Sequence, residues 1–437
     1  MTVLQKNDKK IINGWVMYDW ANSVYPLVIT STVFPVYYEN LTHQNGSDIV
    51  EIFGLKLVNT ALYSYVISLS FLIVSILSPI LSGIADYSGN KKRFMQFFTY
   101  LGSFSCMMLY FFDTDHLALG LLFVLFASIG FSGSIVFYNA YLPEIATPDL
   151  HDKISAKGFS MGYIGGAILL IFNLMMIQHS EWFGIEDNSL PAKISFITVG
   201  LWWAGFAQIT FKRLPNNVFG RKPDKEVILK GFREIKKVLF ELKDNRVLKT
   251  YLLSFFIFSM AVQTVMYMAV MFGKKEIAMD GSELIITILI IQFVAIFGAF
   301  LFSRLSGLIG NIKALGVSII IWIGICIGAY FVYTPNQFFV VAAAVGLVMG
   351  GIQSLARSTY SKLLPQTIDH ASYFSFYDIC EKMGIVIGTF IYGYIEQLTG
   401  SMRNSVFALA LFFVVGLIIL FFVPSVKKYR KEMGLQD

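Results

Sequence analysis

A few polar side chains interrupt the long apolar runs of this 437-residue chain. Asp19 and Asn22 lie in the first run, with Trp20 and Tyr25 beside them; Asn139, Gln353 and Arg357 lie in later ones; Asp378, Glu381 and Lys382 sit together near the end. A charge near the centre of a bilayer costs at least ~2.5–3.5 kcal/mol, so such residues should face a cavity and find partners. By helical rise, Asp19 is about 10 Å inside its run and Lys382 about 16 Å inside its own. The chemistry open to them is recognition of a small zwitterion, with Asp19 meeting an amine and Lys382 a carboxylate, and exchange of a proton. Burial can raise an acid towards neutrality, which makes Asp19 the first choice of titrating group and Glu381 the second. Plainer roles stay open. Asp378 and Lys382 are four residues apart and can neutralise each other. Asp19 can be a structural acid, Asn139 and Gln353 can join helices, Arg357 can be a helix-end charge, and Trp20 can pack rather than stack on a solute.

Residues that sit this way need a membrane, and the composition supplies one. Only 14% of residues are charged and 56% are apolar, with a mean hydropathy of +0.65; a soluble chain runs nearer 25% charged. This excludes an ordinary soluble enzyme, a disordered chain and a disulfide-rich secreted fold. Cys106, Cys326 and Cys380 all fall in apolar runs and read as small buried residues. No HExxH, paired CxxC, Gly-x-Ser-x-Gly or P-loop pattern occurs, so neither metal, nucleophile chemistry, ATP nor a cofactor is expected.

About twenty apolar residues cross a bilayer as a helix. Twelve segments qualify: 12–38, 58–85, 94–112, 117–142, 158–177 and 194–211, then 249–272, 283–303, 314–333, 338–360, 371–396 and 404–423. The expected fold is all-α, with twelve transmembrane helices in two pseudo-symmetric six-helix bundles, 1–211 and 249–437, joined by a linker, 212–248. With the N-terminus in the cytoplasm, 28 of the 34 Lys and Arg fall in inside segments, five fall outside and Lys382 lies within a span. The positive-inside rule then places both termini in the cytoplasm. In the linker, Ile228, Phe232, Ile235 and Leu239 recur at helical spacing among Lys225, Lys230, Arg233, Lys236 and Lys237. This predicts a basic amphipathic helix on the cytoplasmic leaflet. Asn40 and Asn45 open glycosylation patterns in the first outside loop, which matter only for a eukaryotic source. A shift of 222 residues superposes Pro143 on Pro365, Gly162 on Gly384 and Gly166 on Gly388. A shift of 221 superposes Gly89 and Asn90 on Gly310 and Asn311. Repeats of this kind build alternating-access transporters.

The link after the second span reads Ser82-Gly83-Ile84-Ala85-Asp86-Tyr87-Ser88-Gly89-Asn90-Lys91-Lys92-Arg93. It resembles the Gly-x-x-x-Asp-Arg-x-Gly-Arg-Lys motif of the major facilitator superfamily, with Ser82 and Tyr87 departing from it. The resemblance implies a cytoplasmic gate at Asp86, Gly89, Lys91, Lys92 and Arg93, to which Glu144 and Arg357 are added. Asp86 there can accept hydrogen bonds from a neighbouring helix terminus, a contact that can be made and broken. Four more segments look like the vacuole-effluxer branch of that superfamily, which holds a fungal autophagy-related amino-acid exporter and bacterial relatives. They are Tyr18-Asp19-Trp20-Ala21-Asn22-Ser23, Phe137 to Glu144, Ser155 to Gly166, and Gly350 to Ser358.

The resemblance implies the fold and solute transport, with amino-acid-like substrates. The expected protein is a secondary transporter, not an enzyme. Its partners are a small-molecule substrate, a coupling proton and the lipid bilayer; nucleic acid is not expected, and the chain should be monomeric. A bacterial inner membrane is favoured, or a vacuolar one in a eukaryote. A lipid or lysolipid cargo, facilitated diffusion without a proton, and a receptor or scaffold without flux are the rival readings.

Overall fold

The computed structural model describes residues 6–43, 47, 49–52, 54–187, 189–215 and 227–434, the side chains of 227–230 excepted. Asn45, Lys225 and the side chains of Ile228 and Lys230 lie outside the described residues. The first half comprises α1 (Lys9–Asn22), α2 (Val33–Thr42), a hairpin of β1 (Ile49–Ile52) and β2 (Leu55–Val58), α3 (Asn59–Ser88), α4 (Lys91–Met108), α5 (Leu117–Ala140), α6 (Leu142–Ile145), α7 (His151–Gln178) and α8 (Leu190–Arg213). The linker helix is α9 (Val227–Asp244). The second half comprises α10 (Arg246–Glu276), α11 (Gly281–Ile309), α12 (Asn311–Tyr330), α13 (Pro335–Leu363), α14 (His370–Thr399), α15 (Met402–Phe421) and α16 (Val426–Glu432).

Among the described residues, nine helical runs are long and apolar enough to cross a membrane. The first, third and eleventh expected spans fall short of that measure for visible reasons. The stretch 12–38, expected as one helix, is broken: a π-helical turn at Tyr25–Thr30 separates α1 from α2. Pro26 is the second residue of that turn and has no N–H to continue an α-helical ladder. α4 opens on Lys91-Lys92-Arg93, and α14 carries Asp378, Glu381 and Lys382. The loop after α2 also holds an unforeseen antiparallel hairpin, in the register Ile49↔Val58 and Ile52↔Leu55.

Helix pairing repeats between the halves. In the first half α1 packs on α7 and α8, α4 on α5 and α8, and α3 on α5. In the second, α10 packs on α14 and α15, α12 on α13 and α15, and α11 on α13. The halves meet through α3 with α14 and α7 with α11, each pair joining a second span to the other half's fifth. The matched glycines serve the equivalent pairings within each half, α7 on α1 and α14 on α10. A Cβ on Gly162 would lie 3.2 Å from the Asp19 carbonyl oxygen of α1, and one on Gly384 would lie 3.3 Å from Met260 Cα of α10. Small residues permit such close approach.

One end of the bundle gathers the basic loops and both ends of the described chain. There Lys6 donates to the Pro143 carbonyl and Arg430 to that of Lys362. This is called the basic end below. α9 lies across it with a divided apolar stripe. Gly231, Val238 and Leu242 are buried, whereas Phe232 and Leu239, predicted to share one face with Ile235, are exposed. A Cβ on Gly83 of α3 would lie 2.9 Å from Ile235 Cγ1, so α9 is docked on α3 and does not merely lie on a lipid surface.

Candidate functional site

A cavity of about 290 Å³ opens between the halves, lined from both. Asp19, Asn22, Tyr25 and Asn139 line it from the first half, and Gln353, Arg357, Glu381 and Lys382 from the second. Phe131, Phe159, Phe255 and Phe258 supply much of its apolar wall.

At its floor the Arg357 guanidinium reaches from α13 into the first half. Its Nη2 donates to Asp19 Oδ2 at 3.3 Å and to the Ser155 carbonyl at 3.0 Å. Its Nε donates to Ser155 Oγ at 2.9 Å and its Nη1 to Asn139 Oδ1 at 3.3 Å. The guanidinium lies 4.2 Å above the Phe159 ring, a contact that suits a weakly hydrated planar cation. Tyr138 donates to Asp19 Oδ2 at 2.6 Å and stacks on Trp15. Gly158 makes the space: a Cβ there would sit 3.1 Å from Arg357 Nη2 and 3.2 Å from the Tyr138 hydroxyl. Arg357 was expected at the gate and is instead part of the cavity. A buried guanidinium needs a counter-ion, and the nearest is Asp19.

A second charged group lies wholly within the second half, on α14. Lys382 Nζ is 3.3 Å from Glu381 Oε2 and 3.5 Å from Asp378 Oδ1, and Gln263 donates to Glu381 Oε1 at 2.8 Å. Asp378 is buried behind the lining and does not border the cavity. Trp20 does not border it either; it stacks on Trp202, whose indole N–H donates to the Trp20 carbonyl. Gln353 accepts from the Tyr163 hydroxyl at 2.8 Å, a link between the halves.

The basic end is closed by two networks. Asp86 accepts from the backbone N–H groups of Ala371 and Ser372, at 3.2 and 2.7 Å, and from the Ser372 hydroxyl. It thereby caps the first turn of α14 with a carboxylate, where the helix dipole favours negative charge. Lys91 stands 3.1 Å from Asp86 and also pairs with Glu144, which His370 meets at 3.0 Å. Gly89 turns the chain there with φ +70°, a left-handed conformation that glycine adopts freely. Lys92 donates to the Leu214 carbonyl, and Arg93 is exposed. The second network was not foreseen. Asp152, in the first turn of α7, accepts from Lys362 Nζ, Ser306 Oγ and Asn311 Nδ2, each at 2.7 Å. Asp152, Ser306 and Lys362 belong to no motif; the paired position of Asn90 and Asn311 is the one signal the sequence offers.

α9 reinforces the first network. Lys237 pairs with Asp369 at 2.7 Å, and Tyr373 donates to Glu241 at 2.6 Å. The bond to Asp369 raises Lys237 above its ordinary pKa of 10.5, while burial raises Glu234 above 4.5.

Residues 7–433 match the sequence signature of a family described as "Vacuole effluxer Atg22 like". The chain belongs to that family. It is 33% identical to the uncharacterized MFS-type transporter YxiO of Bacillus subtilis (strain 168), over 97% of this chain and 96% of the relative. It is 23% identical to autophagy-related protein 22 of Gibberella zeae, over 96% of this chain and 80% of that one. Its fold is similar to that of FucP, a major facilitator superfamily transporter in the outward conformation, with a TM-score of 0.66, 13% identity and coverage of 95% and 98%. The Atg22-like family thus has here an all-α major facilitator fold, and this member is a multi-pass membrane protein and a secondary transporter rather than an enzyme.

Proposed function

We propose that the chain moves a small amino-acid-like zwitterion by alternating access, with a proton as coupling ion. On this reading twelve crossings form two bundles, 1–211 and 249–437, joined by 212–248; the basic end faces the cytoplasm, and the chain works as a monomer. The observation that carries the reading is the cavity, with charged residues from both halves gathered into two acid–base groups and aromatic walls between them. Asp19 and Arg357 form one pole, and Glu381 and Lys382 the other. A zwitterion can meet both signs at either pole, and its side chain can occupy the apolar middle. The volume is at the low end of the ~300–1,000 Å³ of ligand pockets, which suits an amino acid better than a lipid tail. Closure at the basic end supports an arrangement open towards the other side, and the latches are the contacts that must break for the cavity to open inwards.

A thermal-shift screen of the purified protein against amino acids, short peptides and lysolipids tests the substrate class, since a ligand of the folded state stabilises it by mass action. Amino acids should raise the melting temperature, and Lys382→Gln should weaken that response. Stabilisation by lysolipids alone would overturn the zwitterion. No uptake of any stabilising amino acid into proteoliposomes would overturn transport of it.

A further inference from the structure

We propose that the coupling proton is held by the Asp378–Glu381 carboxylate pair, where α14 meets α3, and not by Asp19. This rests on the transport reading above and names the site that serves it.

Charge balance is the first ground. Asp19 has one cation, Arg357, and a hydroxyl donor, Tyr138, so that pole is neutral and bonded. Around Lys382 stand two carboxylates for one ammonium. Among the described residues, the surrounding elements bring no second cation. α10 presents Gln263 and Tyr267, and α5 presents Ser132 and Asn139. α3 presents Phe71, which Lys382 Nζ faces at 5.8 Å. Arg357 of α13 is committed to Asp19, and Arg403 of α15 is held by Glu276. Lys237 of α9 is committed to Asp369. One uncompensated negative charge in a low-dielectric site is relieved by one proton shared between the two acids.

The second ground is the state of Asp378. It is 1% exposed; beyond the 3.5 Å ion-pair contact of its Oδ1 with Lys382, neither of its oxygens makes a hydrogen bond among the described residues. Buried polar atoms are seldom left so. On α3, Ser78 and Ser82 are buried, and their hydroxyls are likewise without partners. At 100° per residue they share one face with Phe71 and Asp86. That face is fixed towards α14 by two contacts, Asp86 with Ser372 and Phe71 with Lys382. Asp378 lies between Ser372 and Lys382 along α14, so by helical rise its carboxyl stands at about the level of these hydroxyls along the seam. A hydroxyl can donate to a carboxylate and accept from a carboxylic acid, so the seam can serve both protonation states. α3 and α14 belong to opposite halves, which ties the proton to the contact that opening must disturb.

Infrared difference spectra of the purified protein in lipid nanodiscs, recorded over a pH series, test this. The wild type should show a carboxylic-acid carbonyl band that disappears as pH rises. Asp19→Asn should keep the band, and the double variant Asp378→Asn with Glu381→Gln should lose it. Asp378→Glu should retain it, and Ser78→Ala with Ser82→Ala should displace its midpoint by about one pH unit, a tenfold change in proton affinity. These last two read the site even if the charge-removing variant fails to fold. Absence of the band in wild type, its loss in Asp19→Asn, or its survival in the double variant would overturn the assignment. Suppression of the band by NaCl but not by choline chloride would overturn it in favour of a bound sodium ion. The spectrum needs no transported solute, so absent flux would sink the transport reading alone.

Discussion

The two latches at the basic end occupy equivalent places in the repeat but are built differently. Asp86, at the end of the first half's second span, accepts from backbone N–H groups of α14. Asp152, at the start of the first half's fifth span, accepts from three side chains of the second half. In the first case two of the donors are backbone groups of a helix terminus that exists whatever its sequence, joined by the Ser372 hydroxyl. In the second, each donor depends on the identity of one residue. The two latches thus sit at matching places in the two halves, but the acid lies on opposite partners, and backbone donors take part in the first only.

The largest effect that separates them should come from Lys362→Met. It strands Asp152 in a buried site, at a cost of about 3–5 kcal/mol, and should lower the melting temperature most. An unchanged melting temperature would mean that the Asp152 latch contributes nothing to the closed form. Asp86→Asn should cost less, about 1.5–3 kcal/mol for charge-assisted bonds, because an amide oxygen can still accept from Ser372. Its main result should be faster labelling of a cysteine placed at Ser372, with folding largely retained. Equal labelling in wild type and variant would reduce Asp86 to a topology residue. The hinges beside the latches differ as well. Gly89 has φ +70° and ψ 16°, whereas Gly310 has φ +86° and ψ 154°. The second region is nearly closed to other residues, so Gly310→Ala should destabilise by up to about 3 kcal/mol and Gly89→Ala by about 1 kcal/mol. The reverse order in thermal unfolding would show that the hinges do not hold these angles. The smallest effect concerns the α9 clamp. Lys237 has its pKa raised in the fold, so its contribution is complete below about 10.5 and is lost only as pH rises through the higher folded value. Protection of α9 from hydrogen exchange should be level between about pH 6 and about pH 9 once intrinsic exchange is corrected for, since that interval lies below the Lys237 range. A loss within that interval would assign the clamp to another group.

The difference between the latches also explains what could be read in advance. Asp86 belongs to a short motif with a turn glycine and a basic cluster, and its helix-end role follows from those neighbours. Asp152, Lys362 and Asn311 are far apart in sequence, and each looks ordinary in its own loop. The same holds inside the cavity. Asp19 and Lys382 were conspicuous because charges are rare in apolar runs, and both line the cavity. Their partners were harder to name. Arg357 lies near a helix end in sequence and was read as a gate charge, yet the packing of α13 against α7 turns it onto Asp19. Spacing along one helix identified the Asp378–Lys382 pair, since i and i+4 are neighbours without any tertiary information. The break at Tyr25–Thr30 was signalled by Pro26 but not its π form, which depends on the helices around it.

The close seating of α9 on α3 changes what kind of connector the linker is. Gly83 and Gly231 bring the two backbones together, while α9 reaches the second half through Lys237 with Asp369 and Glu241 with Tyr373. A steric fit between backbones is harder to undo than two solvent-edged polar contacts. When the basic end opens, α9 should ride with the first half as a passenger and let go of α14. It would then behave as a lever arm whose free side registers the stroke, so a pair of spectroscopic labels on Arg233 and Gln366 would read the transport cycle from outside the membrane.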